Sequence, residues 1–391
     1  MKKTLLVAAL LAGFAGAVEA KTSVTLYGRI DAGIGYSQKT IRSTSAQGSD
    51  TVTKIGAIVN GQSSSRWGLK GSEDLGNGLS AIFQIESGFD SVLGSNKAGQ
   101  LFNRKAILGL KGGFGTLTVG LQNNIADDLI SQGMDWGNAD AGDAHGALSY
   151  RLKELPTVKY LSNDNNGLVF GIQGGYKRTG TKVDSGSSNG VNTNTYDSSS
   201  YMGIGIGYKK NKLSFGITFD SLQTRDKKAV GADANGNVKY DVVKTNAKAL
   251  TVGGGYDFGA VELFLGYGRQ WDGFFGGDAL GVKAAEQQPG GNEVEPISNM
   301  WFAGISAPVG DASKVHFKYW GGNATPDDNA QNNSQNDYTI MGHGFALGFE
   351  HKLSKRTNVY VQGSYMYTKS DAQGARSDSN SEFKVGLRHR F

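Results

Sequence analysis

The side chains that most invite a chemical reading are charged, and they fall into two unlike sets. Between positions 123 and 150 stand five aspartates (Asp127, Asp128, Asp135, Asp140 and Asp143) with no Lys or Arg among them. Ile125, Leu129, Ile130, Met134, Trp136 and Leu148 share that stretch, more apolar surface than a solvated acidic loop needs. The segment is therefore expected to pack against something. Basic residues recur elsewhere at alternating positions: Arg29, Arg66, Lys70, Lys105 and Lys159 early, and Lys314, Lys318, Lys384 and Arg388 late. Acids and bases separated in this way can act as fixed charges facing each other across water, where low-dielectric walls strengthen the field between them.

Catalytic chemistry has less to build on. His145, His316, His343, His351 and His389 are scattered without metal-ligand spacing. Cysteine is absent, which excludes disulfides and thiolate sites. The pairs Gly33/Gly35, Gly113/Gly115 and Gly205/Gly207 each lack the third glycine of a dinucleotide fingerprint, and no phosphate-loop, zincin or nucleophile-elbow motif occurs. Asp233, Asn235 and Asn237 loosely suggest a calcium loop, but the following Gly and terminal Glu are missing, so the segment reads as a solvated loop. No enzyme activity, cofactor or metal is expected.

The elements that must carry the charges read as strands. Val24, Leu26, Ile30, Ala32, Ile34 and Tyr36 alternate with Thr25, Tyr27, Arg29 and Asp31. The same two-residue period returns at Phe83 and Ile85, Leu117 to Leu121, Leu213 to Phe219, Val315 to Tyr319, and Phe383 to Phe391. Glycine is abundant, 59 of 391 residues, and hydrophobic content of 38% lies below that of soluble domains. The chain lacks the Leu and Ile to fill a core of its length. A soluble multi-domain enzyme is disfavoured.

Residues 1–20 read as a secretory signal: Lys2 and Lys3, an apolar run too short to span a bilayer, then small residues ending at Ala20. Removing them leaves 38 Lys and Arg against 34 Asp and Glu, a net charge of +4. That charge is too mild and dispersed for nucleic acid. No later run of about 18 apolar residues exists to form a membrane helix. A membrane form would have to be a closed barrel, apolar outside and polar within.

Connection lengths favour that barrel over a soluble sandwich. Short turns fall near 73–78, 111–116, 163–167, 209–212, 256–259, 309–313 and 353–357. Long polar connections lie at 38–60, 91–103, 123–152, 178–199, 221–246, 271–298, 321–339 and 369–380. Strict alternation of the two kinds predicts a single all-β domain over 21–391, a 16-stranded antiparallel transmembrane barrel with both termini on the short-turn side. Gly203, Gly205 and Gly207 would relieve crowding in its curved wall. Trp67, Tyr176, Tyr208, Phe258, Tyr267, Trp301, Tyr319, Tyr365 and Tyr367 fit interfacial girdles.

Several segments resemble the general porins of the Neisseria/β-proteobacterial type: SVTLYGRIDAG (23–33), SRWGLKGSEDLGNGLSAIFQIE (65–86), RKAILGLKGGFGTLTVG (104–120), LSKRTNVYVQGSYMY (353–367) and VGLRHRF (385–391). They open and close the barrel region, and the loops between them diverge. The resemblance implies a Gram-negative outer-membrane homotrimer with short periplasmic turns, long external loops and a third loop folded into the pore. It also implies contact with outer-membrane lipid and lipopolysaccharide, and a terminal Phe391 belonging to the signal read by the barrel-insertion machinery.

On that reading the pore constriction has Arg29, Arg66, Lys70, Lys105 and Lys159 on the wall, facing Asp127, Asp128, Asp135, Asp140 and Asp143 on the loop. Lys111, Arg388 and Arg390 are expected near the short-turn rim, outside the filter. Passive diffusion of ions and small hydrophilic solutes follows, weakly anion-selective. The alternatives are a substrate-specific channel, for which the inward aromatics Tyr27, Phe264, Phe302 and Tyr360 look too dispersed, or an adhesin whose loops act and whose barrel only displays them.

Overall fold

The computed structural model describes residues 22–43, 48–96, 100–130, 155–181, 195–232, 238–271, 296–326, 339–371 and 376–391. The expected signal at 1–20, the stretch 233–237, and the loop residues Asp135, Asp140 and Asp143 lie outside them. The described strands are β1 (Ser23–Ser43), β2 (Ser49–Val59), β3 (Arg66–Gly76), β4 (Leu79–Gly88), β5 (Lys105–Gly112), β6 (Gly115–Leu121), β7 (Thr157–Leu161), β8 (Leu168–Thr181) and β9 (Thr195–Lys210). They continue with β10 (Leu213–Ala232), β11 (Val238–Asp257), β12 (Glu262–Trp271), β13 (Pro296–Val309), β14 (Ser313–Pro326), β15 (Ile340–Lys352), β16 (Thr357–Ser370) and β17 (Arg376–Arg390). One short helix, α1 (Ile125–Leu129), starts the third long connection.

Every neighbouring pair is antiparallel, and β17 closes on β1 from Arg29↔Arg390 to Ser43↔Arg376. The other edge of β1 is shared. Its first part pairs with β3, from Ser23↔Ser72 to Arg29↔Arg66, and its later part with β2, from Ala32↔Val59 to Arg42↔Ser49. β2 and β3 are thus collinear pieces of one wall position, interrupted at 60–65. The seventeen segments make sixteen positions, as the alternation of connections requires.

The side-chain distribution is inside-out relative to a soluble domain. Outward Ile34, Leu108 and Leu347 are 69%, 61% and 57% exposed, whereas inward Asp220, Thr218, Thr251 and Gln173 are each 1% exposed. Lipid selects the outer set and the crowded polar lumen the inner one. Asn77, Asn166 and Asn211 close short turns with positive φ, a conformation Asn tolerates better than most residues. Aromatic pairs such as Tyr160–Phe170 and Tyr256–Phe258 stand near that end, with ring centroids 5.6 and 4.7 Å apart. No described helix is long and apolar enough to cross a membrane.

Several expected connections are shorter than the sequence suggested, among them 321–339 and 369–380, where β14 runs to Pro326 and β16 to Ser370 with β17 resuming at Arg376. β1 runs to Ser43 and β2 resumes at Ser49, β8 extends to Thr181 and β9 begins at Thr195, and β10 and β11 reach Ala232 and Val238. Above the membrane both faces of a hairpin are wet, so the apolar alternation ends while the backbone ladder continues. The residues there still favour strands: Thr40, Ile41, Thr51, Val52 and Thr53. Thr40 and Thr51 share a hydroxyl hydrogen bond of 3.1 Å across the first hairpin.

Candidate pore constriction

The third long connection enters the barrel as soon as β6 ends. Asn124 caps α1, its side chain accepting from the Asp127 amide. The helix has one apolar side, on which Ile125, Ala126, Leu129 and Ile130 are 0%, 2%, 9% and 5% exposed. They rest on a patch of inner wall with no side chains. A Cβ added at Gly171 would come within 2.5 Å of the Ile125 side chain. One at Gly205 would come within 2.9 Å of Leu129, and one at Gly216 within 2.8 Å of the Leu129 carbonyl. Gly203 and Gly207 complete the patch. The glycine period on β9 therefore does more than relieve wall curvature: it seats the loop.

Polar bonds fix the helix in that seat. Lys159 on β7, 4% exposed, donates to Asp128 and, at 2.6 Å, to the Asn123 carbonyl. Gln173 donates to the same carbonyl at 3.1 Å, and Asn123 donates to Asp127. Beside them the Tyr201 hydroxyl donates to Asp220. Lys159 and Asp128, expected on opposite sides of the pore, are thus bonded to each other at the base of the loop. Beyond α1, Ala126 and Ile130 pack against Ala249, Met300, Phe302, Trp320 and Ala346. Of the inward aromatics, Phe302 and Phe264 join this packing beneath the loop, whereas Tyr27 bonds to Glu86 and Tyr360 to Asp31, so no continuous aromatic track forms among the described residues.

The basic wall centres on Glu86, 4% exposed. Arg104 Nε donates to its Oε1 at 2.6 Å, Arg66 Nη1 lies 3.6 Å from the same oxygen, and the Tyr27 hydroxyl donates to Oε2 at 3.0 Å. Lys105 stands opposite Glu86 in the β4–β5 register, and Lys70 Nζ is 5.5 Å from the Tyr27 ring centroid. Arg29 lies opposite Arg66 on one side and Arg390 on the other. The structure therefore brings together Arg29, Arg66, Lys70 and Lys105, adds Arg104, and sets Arg390 directly beside them. Arg104 escapes a reading by strand parity because it precedes β5.

A second inward feature joins this wall at the break between β2 and β3. Asn60, Gln62, Ser63 and Ser65 are all buried, and they turn in around Asp31. Asp31 accepts from the amides of Gln62 (3.0 Å) and Ser63 (2.7 Å) and from the Tyr360 hydroxyl (2.6 Å). Gln62 then donates to Glu350 at 2.5 Å, and Arg388 Nε donates to Asn358 at 3.0 Å. Asp31 and Arg388 therefore act as structural supports of the inward turn. Phe391 meets the wall from the other end: its amide and carbonyl exchange bonds of 3.1 and 3.0 Å with Gly28, where a Cβ would come within 2.4 Å of its ring.

Among the described residues no group of three His, Asp or Glu side chains is placed to hold a metal ion. The arrangement offers a water-filled lumen with a loop-borne helix on one wall and a dense basic group on another.

Known proteins agree with that geometry. The sequence profile described as Gram-negative porin matches residues 5–373. An outer membrane porin protein of Bordetella pertussis is 36% identical over the whole of both chains. A major outer membrane protein P.IB of Neisseria meningitidis is 28% identical, again over the whole of both. The anion-selective porin from Comamonas acidovorans superposes with a TM-score of 0.63 at 23% identity, covering 95% of this chain and all of that one. A closed sixteen-position barrel with its wet side inward, a profile match over most of its length and a full-length relative above 30% identity make this chain a member of the Gram-negative porin family, a diffusion channel of the outer membrane.

Proposed function

We propose that this channel passes ions and small hydrophilic solutes down their gradients with a weak preference for anions. The observation that carries the sign is the convergence of Arg66, Arg104 and Lys105 on the carboxylate Glu86, with Lys70 over the neighbouring Tyr27 ring and Arg29 opposite Arg66 on the adjoining strand. Arg104, Lys105 and Lys70 outnumber that one carboxylate, and the loop acid Asp128 is bonded to Lys159. A fixed positive excess beside a narrow aqueous path raises the local anion concentration. Asp127 supplies opposing charge that keeps the preference weak; Asp135, Asp140 and Asp143, expected on the same side, lie outside the described residues. The Comamonas porin, named as anion-selective, is consistent with this sign.

The working form is a homotrimer in contact with outer-membrane lipid and lipopolysaccharide. Phe391 belongs to the terminal strand signal read by the insertion machinery, and its docking against Gly28 supports a role at barrel closure. The test is planar-bilayer recording under a tenfold KCl gradient. Conductance steps closing in threes and a zero-current potential of the anion sign are expected. A potential of the cation sign would overturn the selectivity, and folded protein that does not conduct would overturn the general-diffusion reading.

A further inference from the structure

The outer face of β8–β12 changes character toward the long connections. Along β10 the outward residues run Leu213, Phe215, Ile217 and Phe219, then Ser221, Gln223 and Arg225; along β8 they run Leu168, Phe170 and Ile172, then Tyr176 and Arg178. Register aligns these ends across the wall. Arg178 pairs with Ser198, Ser198 with Arg225, and Arg225 with Lys244, a row about 14 Å wide at the usual strand spacing. Arg178 and Arg225 are exposed, and half-buried Lys248 and Arg269 lie on the outer face of the adjoining strands. Arg269 sits 5.4 Å over the Trp271 ring, beside a polar tier in which Tyr267 donates to Asn299 at 2.7 Å and Asn299 to Asn323 at 3.0 Å.

Height and sign identify the occupant. Arg225 is twelve residues from Leu213, about 28 Å above it at 3.3 Å per residue and a 45° tilt, just over the apolar band of about 25 Å. Among the described side chains on the outer face of β8–β13, none is Asp or Glu. A second copy of this chain offers little acidic match either, since within the strands the outward described positions of the long-connection half carry no carboxylate, and Asp371 just beyond β16 accepts from the Thr339 amide. What does meet a barrel at that height is the headgroup layer of the outer leaflet.

We infer that Arg178, Arg225, Lys248 and Arg269 form a binding site for the phosphate groups of outer-leaflet glycolipid. This rests on the reading that the protein contacts lipopolysaccharide, and gives that contact a place on the wall. The guanidinium groups of Arg178 and Arg225 take phosphate oxygens. Lys248 extends upward from within the band, and Trp271 with the Asn tier faces the sugar layer.

The test titrates the refolded full-length mature protein, in detergent, with lipid A bearing both phosphates, with its dephosphorylated form, and with inorganic phosphate, counting bound lipid by native mass spectrometry. Each basic group near an anionic surface contributes about fivefold to affinity, so the quadruple variant R178Q/R225Q/K248Q/R269Q should bind phosphorylated lipid A at least about a hundredfold more weakly. Its single-channel conductance should match wild type, which certifies folding. A double variant on the far circumference, R42Q/K369Q, should bind normally. Three results would each overturn the site. Phosphorylated lipid A could bind the quadruple variant undiminished, which would leave lipid contact intact but elsewhere. Dephosphorylated lipid A could bind wild type as tightly, making the contact apolar. Inorganic phosphate could displace the lipid completely, marking a free-anion site. Dissociation of the trimer in the quadruple variant would assign the face to subunit contact instead.

Discussion

Gly216, like Gly207, separates the loop seat from the barrel wall. A Cβ at Gly216 would meet the Leu129 carbonyl oxygen at 2.8 Å, Ile130 Cγ1 at 3.0 Å and the Leu129 carbonyl carbon at 3.2 Å. All three belong to the third loop and none to a neighbouring strand. Ile125, Leu129 and Ile130 are buried on this wall, and at about 1.5–3 kcal/mol each they hold α1 with about 5–9 kcal/mol. Gly216→Ala demands a shift of about half an ångström; overpacking of that kind costs about 1–3 kcal/mol, so α1 stays and the conductance stays near wild type. Gly216→Leu adds three further carbons where α1 now lies, and the helix must leave its seat. Single-channel recording should then show larger, noisier openings, and limited proteolysis should cut the third loop of the folded barrel. Gly348→Leu is the control, because a Cβ there finds only atoms at 3.9 Å or beyond; added bulk in the lumen away from α1 should lower conductance. If Gly216→Leu conducts and resists protease like wild type, α1 does not hold the loop in the lumen and the reasoning fails.

Three further outcomes follow from the other clusters. Glu86→Gln removes the acid at the centre of the basic group; a unit charge about 7 Å from a permeating ion in water is worth about 0.6 kcal/mol, of opposite sign for the two ions, so the chloride-to-potassium permeability ratio should rise about sevenfold. An unchanged zero-current potential would place Glu86 away from the ion path. Asp31→Asn puts an amide donor among the Gln62 and Ser63 amides and should cost the barrel about 2–3 kcal/mol, read as a lower temperature for the heat-dependent gel shift, with selectivity little altered. Gly28→Val strikes the Phe391 ring and should slow insertion as Phe391→Ala does; normal yield of either trimer would remove Phe391 from assembly.

The barrel was legible because lipid imposes a two-residue period that a soluble core does not. Ile34, Leu108 and Phe215 had to face out, and their neighbours in. The same signal ends where lipid ends, which is why the hairpins that carry Thr40 and Thr51, or Lys244, were read as loop. The break at 60–65 was hidden for another reason. Nothing in Asn60, Ser63 or Ser65 marks an inward turn until Asp31 and Tyr360, which are distant in sequence, are known to converge on it. Gly203, Gly205 and Gly207 did carry a visible period, but their partner α1 lies more than seventy residues earlier. Parity can say which way a residue points, not what it points at.

That limit matters most for charge. Taken by parity alone, the lumen's acids and bases nearly balance, which suggests a symmetric field between wall and loop. Contacts break the symmetry, because a charge bonded to its opposite a few ångströms away contributes only a dipole to an ion in mid-channel. Lys159 and Asp128 cancel locally, as do Lys314 with Glu262 at 3.2 Å and Lys384 with Glu382 at 2.8 Å. Arg66 and Arg104 converge on one carboxylate, and Lys105 and Lys70 add positive charge beside it. The field an ion feels is set by this remainder. A porin of nearly neutral lumen can therefore favour anions, and neutralising the shared acid or a paired base changes that remainder by one unit charge in opposite directions.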